Sequence, residues 1–535
     1  MLTHSLFLIA FALFPYSVLS YNYLVVNPIF GYSHAKFMGK LSDVIAEGGH
    51  NVTVLQYYHT AFKNSDKLIK NQKVEILNYF PHDYDEMVLH DKKTFPEFWD
   101  SAMMTNAFLG SIMVPSILSK EFEREGKRVL TDKELHKQLI DKKFDAVLVE
   151  TFESVGFYLA HIINVPVITS FSAVRHPSQS LFGQPSTLGY VPAPGSRLPP
   201  NAGLWDRLND YYNHYFYHKM FDGLMNKQHE MFVSVMEGDV PSWQELVTKS
   251  PIFVTNANPY LDFAMPSAGN IVQIGGITTP KPKKLEPLPE EYESILKERD
   301  STVLISFGSV VRSYQMPEKF KSGVIQMLKN LPDVTFIWKY EIDDEEFQKK
   351  LPKNVHLKKW VPQPALLADD RLKVFMTHGG LGSTMEVAYS GKPALMVPLF
   401  GDQPLNAQML ARHGGAVAYD KYELPDGEKL SRTMREMVTD SKYKKNAEEL
   451  RKVLRNQPIE PKETFLKHIE FAVKFPKFKS QIPEITQTGL IGFYYLDVLT
   501  VLSLVAVLLT YLTIKLFIRI LGKFVNIQSK KPKNE

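Results

Sequence analysis

Val374-Phe375-Met376-Thr377-His378-Gly379-Gly380-Leu381-Gly382-Ser383-Thr384-Met385-Glu386 decides the fold. A short apolar run, expected as a strand at 374–376, enters a glycine-rich turn and then a run of helix-compatible residues. Glycines without side chains let backbone N–H groups approach an anion, and the positive end of the following helix favours a phosphate there. Such a turn also serves plain strand–helix packing, so its neighbours carry the argument. Gly308-Ser309 follows an expected strand at 303–307, and Asp402-Gln403 follows one at 394–397. Three polar groups therefore converge on the carboxyl edge of one parallel sheet, where ligands of such sheets bind.

Outward from that block, short apolar and β-branched runs alternate with helical stretches. Strands are expected at 23–26, 52–56, 146–149, 167–170, 251–255 and 271–274, and again at 303–307, 334–338, 374–376 and 394–397. This alternation predicts an α/β fold with parallel sheets covered by helices on both faces. The proline-rich, charged stretch 278–289 reads as a linker. The expected organisation is two doubly wound, Rossmann-like domains facing each other across a cleft, at 21–277 and 290–455. A return helix and membrane-proximal segment follow at 456–490.

The chain has 535 residues, 44% of them hydrophobic and 22% charged, which suits two globular domains plus targeting segments. Its formal charge is +4. After position 514 six basic residues stand against Glu535, a net +5, which leaves −1 for everything before and no basic footprint for nucleic acid. Cysteine is absent, so disulfides, cysteine-ligated zinc and thiol catalysis are excluded. Residues 1–20 read as a cleaved signal peptide: an apolar run at 6–14, Pro15, then Val18-Leu19-Ser20. Residues 491–518 read as a membrane-spanning helix and 519–535 as a basic cytoplasmic tail, leaving the body luminal. Lys531 and Lys533 resemble a dilysine retrieval signal of the endoplasmic reticulum. Asn51-Val52-Thr53 is the glycosylation sequon, placed at the start of a strand.

Trp360-Val361-Pro362-Gln363, His378-Gly379-Gly380, Ser383, Glu386 and Asp402-Gln403 together resemble the donor-site signature of the UDP-glycosyltransferase family, in its animal UDP-glucuronosyltransferase form. Ser33-His34, Gly49-His50-Asn51-Val52-Thr53, Tyr190-Val191-Pro192, Gly275-Gly276 and Asn456-Gln457-Pro458 extend the likeness over nearly the whole chain. The resemblance implies a GT-B fold: two facing Rossmann-like domains and one C-terminal transmembrane helix. It implies a UDP-sugar as co-substrate, glucuronate in the first place or glucose, with no cofactor and no metal. It also implies a small lipophilic acceptor, as in conjugation of xenobiotics, residence in the endoplasmic reticulum membrane, and leaves homo- or hetero-oligomers open.

Residue by residue, the resemblance assigns Trp360 to stack on uracil and Gln363 to bond the nucleoside. Ser309, His378 and the backbone of Gly379, Gly380, Gly382 and Ser383 would hold the diphosphate. Glu386 would accept from ribose hydroxyls, and Asp402 with Gln403 would grip the transferred sugar. Gly382 stands where mammalian relatives usually carry asparagine, and Lys339 where they carry arginine. In the first domain His34 matches the catalytic base and Glu150 the position of its aspartate partner, so the expected chemistry is one inverting displacement. Phe95, Phe98, Trp99 and the aromatics of 211–217 are acceptor-side candidates, although such aromatics are more often core than pocket. Asp83-Tyr84-Asp85 has the form of a metal-binding pair but is expected to be a solvated loop. Two rivals share these features: a sugar-nucleotide epimerase with the same architecture, and a non-catalytic regulatory partner.

Overall fold

The computed structural model describes residues 20–59, 68–81, 99, 106–185, 189, 191–196, 198, 202–281, 285–308, 311–478, 491–492 and 495–529, with the side chains of the last helix described to 523. Residues 1–19 of the expected signal peptide, Ser309, Phe95, Phe98, Asp83, Tyr84, Asp85, Tyr190, Lys531 and Lys533 lie outside the described residues.

Two sheets, parallel throughout, organise the chain. The first contains β1 (Asn22–Ile29), β2 (Asn51–Tyr58), β3 (Glu75–Tyr79), β4 (Ala146–Glu150), β5 (Val167–Phe171), β6 (Phe253–Thr255) and β7 (Ile271–Gln273), in the order β3-β2-β1-β4-β5-β6-β7. The second contains β8 (Thr302–Ser306), β9 (Thr335–Lys339), β10 (Val355–Lys358), β11 (Leu372–Thr377), β12 (Ala394–Met396) and β13 (Ala416–Ala418), in the order β10-β9-β8-β11-β12-β13. The central strands are buried along their whole length because helices cover both faces, as in β4 and β8, where every residue is buried. Winding reverses between β1 and β4 in one sheet and between β8 and β11 in the other. Those two switch points are where ligand crevices open in doubly wound sheets.

The helices that shape the crevice and its surroundings are α1 (Tyr32–Glu47), α2 (Ala107–Thr131), α3 (Leu204–Val233), α4 (Leu381–Ser390), α5 (Gln403–Ala411), α6 (Pro461–Lys474) and α7 (Leu496–Ser529). The chain crosses between lobes more than once. α6 returns to the first lobe, burying Phe465, Ile469 and Ala472 against Val25, Val54 and Ile274, and Glu470 Oε1 lies 3.1 Å from His50 Nε2. Trp99 goes the other way. Its ring is 1% exposed, packs on Phe307 and Phe320, and donates through Nε1 to the Arg312 carbonyl at 3.1 Å. Trp99 is thus a core residue of the second lobe and not an acceptor-side aromatic.

α7 runs 28 residues from Leu496 to Lys523, its most apolar stretch of 18 residues has a mean hydropathy of 2.3, and none of that stretch is buried in the protein. At 1.5 Å per residue it spans roughly 42 Å, enough to cross a bilayer. It starts after 491 because Tyr495, with φ 51°, interrupts the helical path.

Candidate active site

His34 lies in the first turn of α1, immediately beyond the carboxyl end of β1, and Glu150 closes the neighbouring β4. The sheet itself therefore sets the two side chains side by side at the first switch point. His34 Nδ1 is 3.8 Å from Glu150 Oε1, and it is 2.7 Å from the hydroxyl of Ser172. The carboxylate thus acts on the ring through charge while Ser172 makes the hydrogen bond. Glu150 is fully buried, and its Oε1 accepts from the backbone N–H groups of Phe152 and Ser172, each at 3.4 Å. Phe30 and Phe152 pack against the imidazole at ring-centroid distances of 4.6 and 5.0 Å. With Nδ1 engaged, Nε2 is left without a protein partner among the described residues, and the ring keeps 20% exposure toward the crevice. Ser172 was not singled out in the sequence, although it follows β5 at the same edge and obeys the same strand-end rule.

In the second lobe, β11 delivers His378 into a slot between two glycines. A Cβ at Gly308 or at Gly380 would come within 2.6 Å of the imidazole, and Gly308 has φ +87°. Both positions need glycine for close approach, and Gly308 needs it for its backbone angle as well. Burial pushes the His378 pKa down to about 4, with the charge of Lys339 adding to the effect, so the ring is neutral at pH 7. Lys339 is itself buried at the end of β9, where desolvation lowers its pKa. Its ammonium donates to the Gly308 carbonyl and lies 5.3 Å from the Trp360 ring centre. Lys339 therefore braces the Gly308 turn beside the aromatic plate.

The residues expected on the nucleoside side converge on α4. Glu386 Oε2 accepts from Gln363 Nε2 at 2.7 Å, and the same amide lies 3.2 Å from Ser383 Oγ. Trp360 is 67% exposed, an unusual state for tryptophan. Its carbonyl accepts from Tyr292 Oη at 2.6 Å, which pins the backbone while the ring presents a free surface. The glycine turn opens α4 with Gly379 at φ +81°. A Cβ on Gly382 would meet nothing within 4 Å, so the space in front of the helix N-terminus is open.

Asp402 and Gln403 begin α5. Burial raises the Asp402 pKa, while the Asn406 amide, donating to Oδ2 at 2.9 Å, and the positive charge of His34 oppose that rise. Gln403 Oε1 accepts from the backbone N–H groups of Leu399 and Phe400 at 2.9 and 3.2 Å, which fixes its amide orientation and leaves the NH2 for a ligand.

The crevice thus gathers His34, Glu150, Trp360, Gln363, His378, Gly379, Gly380, Gly382, Ser383, Glu386, Asp402 and Gln403 from the strand ends and helix starts that border it. Asn51 stands apart at the amino end of β2, exposed at the opposite edge of the sheet from His34, while Thr53 of its sequon is buried and donates to Glu75 Oε2 at 2.9 Å. Among the aromatics of α3, Tyr211, Tyr212 and Tyr215 are exposed, while Tyr217 donates to the Arg175 carbonyl at 3.3 Å.

Because the space at Gly382 is open, Gly382→Asn is expected to add an amide donor at the helix N-terminus. A hydrogen bond to a charged acceptor contributes roughly 1.5–3 kcal/mol, and calorimetric titration should show UDP binding at least about 10-fold tighter at unchanged Tm. A weaker complex would place the diphosphate elsewhere.

The family model described as UDP-glucoronosyl and UDP-glucosyl transferase matches residues 23–531. UDP-glucuronosyltransferase 3A1 of Bos taurus is 30% identical, with 81% of this chain and 80% of that protein covered. UDP-glucuronosyltransferase 3A2 of Homo sapiens is 28% identical, covering 83% of each. Among solved structures, Phytolacca americana UGT2, complexed with UDP-2fluoro-glucose and pterostilbene, superposes with a TM-score of 0.56 at 14% identity, over 85% of this chain and 100% of that one. The glycotransferase of kitacinnamycin gives 0.56 at 16% identity, over 87% and 100%. Those likenesses agree with two facing parallel α/β lobes of the GT-B type. The chain belongs to the UDP-glucuronosyl and UDP-glucosyl transferase family and is a glycosyltransferase.

Proposed function

We propose that this enzyme transfers a hexosyl group, glucuronate first and glucose as the alternative, from a UDP-sugar to a hydroxyl of a small lipophilic acceptor, with inversion. The observation that carries the reading is the inter-lobe contact beside the candidate base: α1, which holds His34 against Ser172 and Glu150, reaches through Lys36 to Glu386 of the second lobe at 3.3 Å, beside an open helix N-terminus. His34 Nε2 takes the proton of the acceptor hydroxyl as its oxygen bonds to the anomeric carbon. The bond from that carbon to UDP breaks, and the leaving diphosphate gains from the N-terminus of α4 and its backbone N–H groups. The Ser172 and Glu150 pair holds Nδ1 so that Nε2 faces the acceptor, and the buried charge stabilises the imidazolium that forms. Trp360 offers its exposed face to uracil, Gln363 and Glu386 the nucleoside, and His378 with Ser309 and the glycine turn the diphosphate. Asp402 and the Gln403 amide hold the sugar.

In this reading the catalytic lobes face the lumen of the endoplasmic reticulum, α7 spans its membrane, and the basic tail is cytoplasmic. The apolar anchor keeps the crevice near the phase in which lipophilic acceptors accumulate. The test is a matrix of UDP-sugars against pooled lipophilic alcohols and phenols, read by mass and by anomeric configuration. An inverted glycoside, formed in the presence of a chelator, is expected. Interconversion of the UDP-sugar without an acceptor would make the protein an epimerase, and absence of transfer from every donor would leave a regulatory role.

A further inference from the structure

Lys36 stands two residues past His34 on α1, yet its side chain leaves the first lobe. Its Nζ lies 3.3 Å from Glu386 Oε1 on α4 of the second lobe. The other oxygen of that carboxylate already accepts from Gln363 at 2.7 Å. Both oxygens of the group assigned above to the ribose are therefore engaged by the protein itself. The Lys36 side chain remains 36% exposed while that of Glu386 is only 11% exposed, so the ammonium is the freer partner.

The position assigned above to the diphosphate lies on the same helix as Glu386. Glu386 is five positions along α4 from Leu381, roughly 7.5 Å of helix rise, and a lysine ammonium swings on a flexible four-carbon stem. A diphosphate at the α4 N-terminus carries more negative charge than one carboxylate. We propose that Lys36 is a donor-positioning residue: ribose hydroxyls displace its ammonium from Glu386, and it moves onto the diphosphate. His34 shares the first turns of α1 with Lys36. Nucleotide bound to one lobe would thus draw the base of the other toward the anomeric carbon. This inference rests on the UDP-sugar reading above.

The test compares UDP with uridine, which lacks both phosphates, for binding to the wild type, Lys36→Met and Lys36→Arg. Lys36→Met should bind UDP about 10-fold more weakly and uridine no less tightly, since Glu386 is released. KM for the UDP-sugar should rise more than kcat falls, and Lys36→Arg should recover most of the UDP affinity. Parallel losses for both ligands would show a merely structural pair, and unchanged UDP affinity would remove Lys36 from the donor site. A wild type that binds no UDP would instead defeat the donor reading itself and this inference with it.

Discussion

His34→Ala is expected to lower kcat by about a thousandfold while leaving the dissociation constant for UDP within about 2-fold of the wild type. A positioned general base contributes roughly 10²–10⁴ in rate, and His34 is positioned by a 2.7 Å bond to Ser172, a buried Glu150 and two aromatic rings. Its partners all belong to the first lobe, whereas the groups assigned to the nucleotide lie on β11, α4 and the turn before them. Removing the imidazole therefore takes away the proton acceptor without dismantling the donor site. Steady-state kinetics with calorimetric titration of UDP separates the two quantities. A variant that retains turnover within tenfold of the wild type would show that another group accepts the proton.

The central strands were legible because they are buried on both faces, so β1, β4, β5, β8 and β11 read as near-continuous apolar runs. What escaped were β3, β10 and β13, and all three lie at sheet edges. An edge strand is covered on fewer sides, so Glu75–Tyr79 and Val355–Lys358 mix exposed or half-buried polar residues with apolar ones, and Ala416–Ala418 is too short to stand out. The site followed the same logic. Residues marked by glycine, histidine or a carboxylate at a strand end could be named as candidates, while Ser172 escaped because a serine after an apolar run resembles any turn residue. Lys339 was noticed as a departure from related chains, but its burial and its bond to Gly308 depend on contacts between β9 and the turn after β8 that no local pattern encodes. Trp99 escaped for the same reason: its partners, Phe307 and Phe320, are more than two hundred positions away.

Gly308→Ala is expected to disable the donor site and destabilise the second lobe together. An L-residue at φ +87° costs roughly 1–2 kcal/mol, and the new methyl would press to 2.6 Å on the His378 ring, an overpacking cost of roughly 1–3 kcal/mol. His378 has little room to retreat, because a Cβ on the opposite glycine, Gly380, would meet its Nε2 at the same distance. The turn would shift instead, and with it the carbonyl that Lys339 braces. A total near 3 kcal/mol lowers Tm by about 6–12 °C for a domain of this size, and the displaced turn should weaken UDP binding by at least tenfold. Gly382→Ala supplies the internal comparison: the same methyl is added at a helical position with open space, so both Tm and UDP affinity should stay near the wild type. Thermal unfolding and UDP titration of the two variants side by side decide the matter. If Gly308→Ala binds UDP as the wild type does, the slot around His378 is a packing feature with no part in holding the nucleotide. If instead Gly382→Ala is the damaging change, the diphosphate lies closer to the first turn of α4 than the glycine slot implies.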